Sequence, residues 1–148
     1  MIKQDKNFMK IAIKEAKENA KQGDYPIGAV IVKNGKILAT GRSTVKQNND
    51  PTSHAEIDAI RKAAEKTGYP YLEDCVLYTT PEPCVMCAAA SVWAKLKGIV
   101  YGASMEDAVS LFTIGVKCRD VLAKSETKLE LIEEFEREKC VKLFELGR

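Results

Sequence analysis

The spacing of apolar residues along the chain predicts alternating helices and strands. From about Asp5 to Gln22, apolar residues recur every three or four positions among lysines and glutamates, which is typical of an amphipathic helix, and Gly23 would end it. Ile27–Val32 is a continuous apolar run without alternation, which predicts a strand covered on both faces. Asn34-Gly35 separates this run from Lys36–Thr40, and an Asn-Gly pair in this position is a strong hairpin signal.

The same reasoning predicts the elements of the remaining chain. They are a polar loop over 41–51, a helix from Ser53 or His54 to about Lys66, a strand from Asp74 to Thr80, a helix from Cys84 to about Lys95, a strand from Gly98 to Gly102, short helices over 106–112 and 117–124, a strand from Lys128 to Ile132 and a closing helix from Glu134 to Leu146. The order α-β-β-α-β-α-β-α-β-α indicates a single layered α/β domain over residues 1–148.

Composition narrows the class of protein. With 45% hydrophobic and 30% charged residues, the chain of 148 residues has the profile of a soluble globular domain. A net charge of +2 gives no strong footprint for nucleic acid, although a local basic patch would be compatible with it. No apolar run reaches the roughly 20 residues that span a bilayer, and the charged N-terminus lacks the apolar centre of a signal peptide. We therefore expect no membrane association and a cytoplasmic location.

The cysteines do not form a pattern typical of disulfides. Their number is five, and only Cys84 and Cys87 have a metal-like spacing. Cys75, Cys118 and Cys140 lie among apolar neighbours and are expected to be small buried residues. Without a secretion signal, a reduced compartment is expected.

Cys84 and Cys87, together with His54, have the composition of a catalytic zinc site. Two cysteines at i and i+3 in the first turn of a helix direct both sulfurs to the same side, and the helix N-terminus favours thiolates. His54 is the only histidine and precedes another predicted helix. One histidine and two cysteines can hold zinc and leave its fourth position open. Glu56 would then be a candidate proton carrier.

Each residue also has a plainer interpretation. Ser53 and Glu56 fit the Ser-x-x-Glu capping box, and a single histidine is commonly a hydrogen-bonded structural residue. Cys84 and Cys87 could be core residues or a thiol redox pair, while a zinc ribbon is disfavoured because it needs a second Cys-x-x-Cys pair. Since all the plain interpretations would have to hold together, the combined set favours the metal site.

His54-Ala55-Glu56 and Pro83-Cys84-Val85-Met86-Cys87 also match the H-x-E and P-C-x-x-C signature of zinc nucleobase deaminases. From about Gly23 to Tyr101 the chain resembles the cytidine-deaminase-like superfamily, in the branch of guanine deaminases, fungal-type cytosine deaminases and tRNA adenosine deaminases. The resemblance implies a three-layer α-β-α sandwich with a mixed five-stranded sheet. It also implies Zn²⁺ held by His54, Cys84 and Cys87, proton transfer by Glu56, and a contact from the Ala55 backbone N–H to the base.

The resemblance favours a free base with a 2-amino-4-oxo edge, such as guanine or isocytosine, with cytosine still open. Trp93 and the segment 103–108 resemble guanine deaminases, and the near-neutral charge offers little to a tRNA backbone. Trp93 is therefore a candidate for substrate contact, although a core position is the alternative. Ser43 stands where relatives often have a substrate-binding Asn, so either the contacted edge of the base differs or water completes the contact. Phe112 and Phe144 could close the pocket or simply pack.

Other functions remain compatible with the sequence. A tRNA-specific adenosine deaminase would need a basic surface around the active site, and a non-catalytic zinc-binding module would not need Glu56. The C-terminal part, including Cys118-Arg119-Asp120, matches neither reference branch well, which places guanine itself in question. The resemblance further implies a homodimer, with the helix from Cys84 to Lys95 as the expected interface.

Overall fold

The computed structural model contains one mixed five-stranded sheet. It describes residues 1–146, apart from the side chains of residues 109 and 110. The strands are β1 (Gly28–Lys33), β2 (Lys36–Arg42), β3 (Cys75–Pro81), β4 (Gly98–Ala103) and β5 (Glu130–Ile132), in the order β2-β1-β3-β4-β5. β1 pairs antiparallel with β2 and β3, whereas the β3–β4 and β4–β5 pairs are parallel. The predicted mixed sheet is therefore confirmed.

Helices cover both faces of the sheet. They are α1 (Lys6–Lys21), α2 (Val45–Asn48), α3 (Ala55–Thr67), α4 (Val85–Trp93), α5 (Cys118–Ala123) and α6 (Arg137–Val141), with 3₁₀ helices over Met105–Leu111 and Lys142–Glu145. α1 and α6 pack with Val30 and Val100 on one face, and α3, α4 and α5 pack with Ile31 and Ile99 on the other. β1 is thus buried on both sides, as its unbroken apolar run predicts. The three-layer sandwich is confirmed.

Two segments differ from the sequence prediction. The expected loop over 41–51 instead completes β2 and forms α2, because the Asp24 carboxylate accepts hydrogen bonds from the backbone N–H groups of Lys46 and Gln47. The expected closing helix over 134–146 begins only at Arg137. Glu134 and Glu136 have left-handed φ values of 58° and 55°, which stop a helix from extending through them. The helical spacing of apolar residues therefore predicted a longer closing helix than the structure contains.

Within residues 1–146, no helix is both long enough and apolar enough to cross a membrane.

Two glycines allow helices to approach the sheet closely. A Cβ atom at Gly28 would overlap the carbonyl oxygen of Ala12 in α1. A Cβ atom at Gly41 would overlap the carbonyl oxygen of Ala55 and lie 2.6 Å from the backbone nitrogen of Ala59. Gly41 in β2 therefore lets the first turn of α3 lie directly against the sheet. The candidate site residues that the sequence predicts on α3 lie at this end of the helix.

We expect Gly41→Ala to displace the first turn of α3, because the new methyl group meets backbone atoms that cannot rotate away. Overpacking of this kind typically costs about 1–3 kcal/mol of unfolding free energy. Urea denaturation of the variant measures this loss. Gly115→Ala is the matched control, since a Cβ atom there meets nothing within 4 Å. Equal stability of the two variants would contradict the proposed close approach.

Candidate metal centre and pocket

The three predicted metal ligands converge where α3 and α4 begin. His54 is the N-cap residue of α3, Cys84 is the N-cap residue of α4, and Cys87 lies in the first turn of α4. One ligand atom from each residue lies within 4.8 Å of the others. Because both helices point their N-termini at this position, their backbone dipoles favour negative charge on the sulfurs. The fold therefore joins residues that are thirty positions apart in the sequence.

The distances among these atoms fit a zinc ion. His54 Nδ1 lies 3.6 Å from Cys84 Sγ and 3.5 Å from Cys87 Sγ. Tetrahedral zinc, with bonds of about 2.3 Å to sulfur and about 2.05 Å to nitrogen, separates a nitrogen and a sulfur ligand by about 3.6 Å. Both nitrogen–sulfur separations thus already match those that zinc would impose. They could hold Zn²⁺ through three protein atoms and leave a fourth position open.

The thiols of Cys84 and Cys87 have different pKa values. A hydrogen bond from Cys87, assisted by His54, lowers the pKa of Cys84 to about 4. The same pairing with Cys84, together with burial, raises the pKa of Cys87. The thiolate form is therefore favoured at Cys84 and the protonated thiol at Cys87. A divalent cation would favour two thiolates here, because its charge stabilises both sulfurs.

Glu56 lies beneath the ligand set and does not cap its helix. Its side chain is buried, and the N-cap of α3 is His54, one residue later than the capping box requires. Ser53 instead exchanges a hydrogen bond with the hydroxyl of Thr44. The capping-box interpretation is therefore wrong. Burial, reinforced by the Cys84 thiolate, raises the pKa of Glu56 to about 7. A carboxyl group with this pKa can both accept and donate a proton near neutral pH.

A cavity of about 510 Å³ opens beside His54 and Cys84. Its volume is in the range of small-molecule sites. Ser43, as predicted, lies on its wall, and so does Phe112. The Asn19 side chain donates to the backbone carbonyl of Ser43, which fixes this residue at the end of β2. The other lining residues are Tyr25, Ile27, Val45, Pro51, Val85, Met86, Leu111, Thr113 and Ile114.

The sequence did not single out most of this wall. Tyr25 and Ile27 belong to the motif quoted for the resemblance, but the segment Leu111–Ile114 had no distinguishing signal. It joins the first 3₁₀ helix to α5, and its contribution depends on where the chain folds back in three dimensions. Phe144 lines a different cavity, with Asp24 and Lys46.

Trp93 requires a correction. It is the last residue of α4, whereas Cys84 and Cys87 are at the opposite end of that helix. Its side chain is 80% exposed, and it is not among the residues lining the cavity. Neither the predicted substrate contact nor the alternative core position is therefore correct within this chain. Nine helical residues separate the two ends by about 13 Å at 1.5 Å per residue, which explains why a residue in the same helix misses the pocket.

Comparison with known proteins places the site in a family context. The profile described as the cytidine and deoxycytidylate deaminase zinc-binding region matches residues 2–103. A guanine deaminase from Bacillus subtilis (strain 168) is 49% identical over 102 residues, which cover 68% of this chain and 65% of that protein. The match thus spans less than two thirds of that relative. A tRNA-specific adenosine deaminase from Agrobacterium fabrum is 38% identical over 144 residues, covering 90% and 94% of the two chains.

A solved structure from a study of A-to-I editing by tRNA:A34 deaminases has the same architecture. It superposes with a TM-score of 0.79 at 30% identity and covers 94% of this chain and 99% of that one. Relatives that act on two different kinds of substrate are therefore similar to this chain. The zinc-binding region is common to them, so it does not distinguish one substrate from another.

We expect Cys87→Ser to lose most of its zinc, because the hydroxyl group is a poor substitute for a thiolate ligand. Zinc content, measured by mass spectrometry, should fall from about one ion per chain to roughly a tenth of that. Cys75→Ser is the matched control, since Cys75 is a buried thiol that lies outside the ligand set. Unchanged zinc content in Cys87→Ser would show that the ion lies elsewhere.

Proposed function

Because the chain belongs to the family of cytidine and deoxycytidylate deaminases defined by their zinc-binding region, we propose that it is a zinc-dependent hydrolytic deaminase of a free nucleobase. The observation that carries this proposal is the buried Glu56 beside a His54–Cys84–Cys87 set with zinc-like separations. A non-catalytic zinc module would have no use for a buried carboxyl group at this position. Burying a carboxyl group costs free energy, so its placement favours a chemical role.

The bound metal ion and Glu56 would have different roles in the reaction. Bound zinc supplies a Lewis acid that makes water a nucleophile at neutral pH. Glu56 takes the proton that this nucleophile loses and delivers it to a ring nitrogen of the base, which makes the amino-bearing carbon electrophilic. The hydroxyl group now attached to that carbon gives up its proton to Glu56 as it becomes a carbonyl. Glu56 passes this second proton to the amino group, which leaves as ammonia. Burial, which raises the pKa of Glu56 above its usual value, favours the uptake of a proton by this carboxylate.

Substitution of Glu56 separates chemistry from metal binding. We expect Glu56→Ala to retain its zinc while kcat falls by about 10²–10⁴, the usual contribution of a general acid–base group. Ammonia release and zinc content are measured on the same preparation. Glu65→Ala, on the exposed side of the same helix, should retain full activity. Near-normal turnover by Glu56→Ala would remove Glu56 from the mechanism.

The lining of the cavity supports a neutral, compact substrate. Apolar side chains such as Ile27, Phe112 and Ile114 form much of it, and none of its lining residues is Lys or Arg. A flat base can be buried in such a pocket, with the Ser43 hydroxyl and the Ala55 backbone N–H as polar contacts. We therefore propose guanine or isocytosine as substrate, with cytosine as a smaller candidate. The similarity to a guanine deaminase supports this choice.

Specific observations favour a second candidate, deamination of adenosine in tRNA. The Agrobacterium tRNA-specific relative aligns with nearly the whole chain, including the C-terminal third. In addition, exposed lysines at helical spacing share one side of α1, namely Lys6, Lys10, Lys14 and Lys17. Such a strip could contact phosphates, and this local patch is not visible in a net charge of +2.

Ammonia release across a panel of substrates distinguishes the two candidates. The panel contains guanine, isocytosine, cytosine, adenosine and an anticodon stem-loop with an adenosine at the wobble position. We expect guanine or isocytosine to exceed the others by at least about a hundredfold in kcat/KM, because the pocket's polar groups must match the substrate edge. Release from the stem-loop, without release from any free base, would overturn the leading proposal.

We also propose that the protein is a homodimer in which α4 contributes to the interface. Met86, Ala89 and Ala90 are half-buried on the outer side of this helix, and Trp93 extends it with an 80% exposed indole. Exposed apolar surface of this kind is typical of a protein–protein contact. Trp93 would then belong to the interface, which accounts for its exposure in a single chain.

A further inference from the structure

Glu82 is a buried carboxylate whose two oxygens bind different segments of the C-terminal third. Its side chain is 2% exposed. Oε1 accepts a hydrogen bond of 2.9 Å from the backbone N–H of Met105, and Oε2 accepts one of 2.8 Å from the backbone N–H of Cys118. No lysine or arginine forms an ion pair with it in the described part of the chain. Backbone groups alone therefore stabilise this charge.

Both donors are the first residues of helices. Met105 begins the first 3₁₀ helix, and Cys118 begins α5, whose own N-cap residue, Lys117, provides no side-chain hydrogen bond. The free N–H groups at a helix start favour a negative partner. Glu82 supplies that partner to both helices at once, although it is more than twenty residues away from either in the sequence.

The segment between these two hydrogen bonds forms a wall of the candidate active site. Leu111, Phe112, Thr113 and Ile114 line the cavity and lie between Met105 and Cys118. Glu82 therefore holds both ends of the segment that carries this wall. It also lies two residues before Cys84, so it connects the wall to the turn that presents a candidate metal ligand. Fixing the ends of a loop reduces the range of positions open to its middle.

We infer that Glu82 is a positioning residue that sets the distance between this wall and the metal centre, and thereby selects which base fits. The inference rests on the proposed function for its substrate readout. Glu82 is the acceptor for two buried backbone N–H groups at once, so its loss would leave both of them without a partner. Because Glu82 lies between the pocket wall and the Cys84 turn, its charge can hold these two parts of the site at a fixed distance.

The same segment provides a matched control. Glu106 pairs with Lys117, and this ion pair joins the two ends of the segment on its exposed side. Glu106→Gln and Glu82→Gln make the same chemical change in two carboxylates that each connect the two ends of this segment. An amide at position 82 can still accept one hydrogen bond, but its NH₂ group would oppose the second backbone N–H. The exposed pair should matter much less, since solvent screens it.

Native-state hydrogen exchange tests the contacts without any substrate. In Glu82→Gln we expect the amides of Met105 and Cys118 to exchange about tenfold faster, as is reasonable for the loss of a helix cap. In Glu106→Gln they should change less than about twofold. Unchanged exchange in Glu82→Gln would overturn the inference. Should that variant fail to fold, Glu82→Asp, which retains both oxygens but is shorter by one carbon, is measured instead and should give an intermediate exchange rate.

Steady-state kinetics tests the consequence for selectivity. Glu82→Gln should retain its zinc and most of its kcat, while KM for the preferred base rises about tenfold and the preference between guanine and isocytosine shifts. A loss of zinc, or a fall in kcat with unchanged KM, would mean that Glu82 supports the Cys84 turn rather than the wall. If the unaltered protein deaminates no free base, the proposed function fails, but the exchange experiment still decides the role of Glu82.

Discussion

The meeting of two helix N-termini is the constraint on which the site depends. Three ligand atoms can lie within 4.8 Å only if α3 and α4 begin at the same place above the sheet. α4 follows β3 through a turn of three residues, so its start is set by the end of that strand. α3 is positioned differently, by direct contact of its first turn with β2 at Gly41. The geometry of the metal centre is therefore a consequence of how closely a helix can approach a glycine in a strand.

The same arrangement explains why an acidic group is buried here. Glu56 is in the first turn of α3, where the helix dipole would favour its ionised form, but burial and the Cys84 thiolate oppose ionisation and raise its pKa to about 7. An exposed glutamate with its usual pKa would be mostly ionised at neutral pH and would hold an accepted proton less well. The charge on the sulfurs and the proton on Glu56 are thus coupled by proximity. The three candidate ligands and the carboxyl group therefore form one electrostatically coupled cluster.

Local sequence signals predicted the parts of the structure that depend on local physics. The Asn34-Gly35 turn and the apolar run of β1 predicted the hairpin and a strand buried on both faces. The signature around His54 and Cys84 predicted the candidate ligands, and the family resemblance that it carries implied the five-stranded sheet and its three layers. Trp93 was misplaced because sharing a helix with Cys87 does not mean sharing its end. The closing helix was overestimated because periodicity does not show that Glu134 and Glu136 adopt left-handed conformations. Leu111–Ile114 could not be identified, since its position in the pocket depends on long-range contacts.

The long-range contacts also decide what the site can recognise. The chain is similar both to a guanine deaminase and to tRNA-specific adenosine deaminases, so its match to the zinc-binding region does not by itself identify the substrate. In this chain the wall over 111–114 lies beyond the matched region of residues 2–103, yet Glu82 within that region holds both of its ends. Because Glu82 fixes only the two ends of this segment, a change in the side chains over 111–114 could alter the pocket without moving the candidate metal ligands.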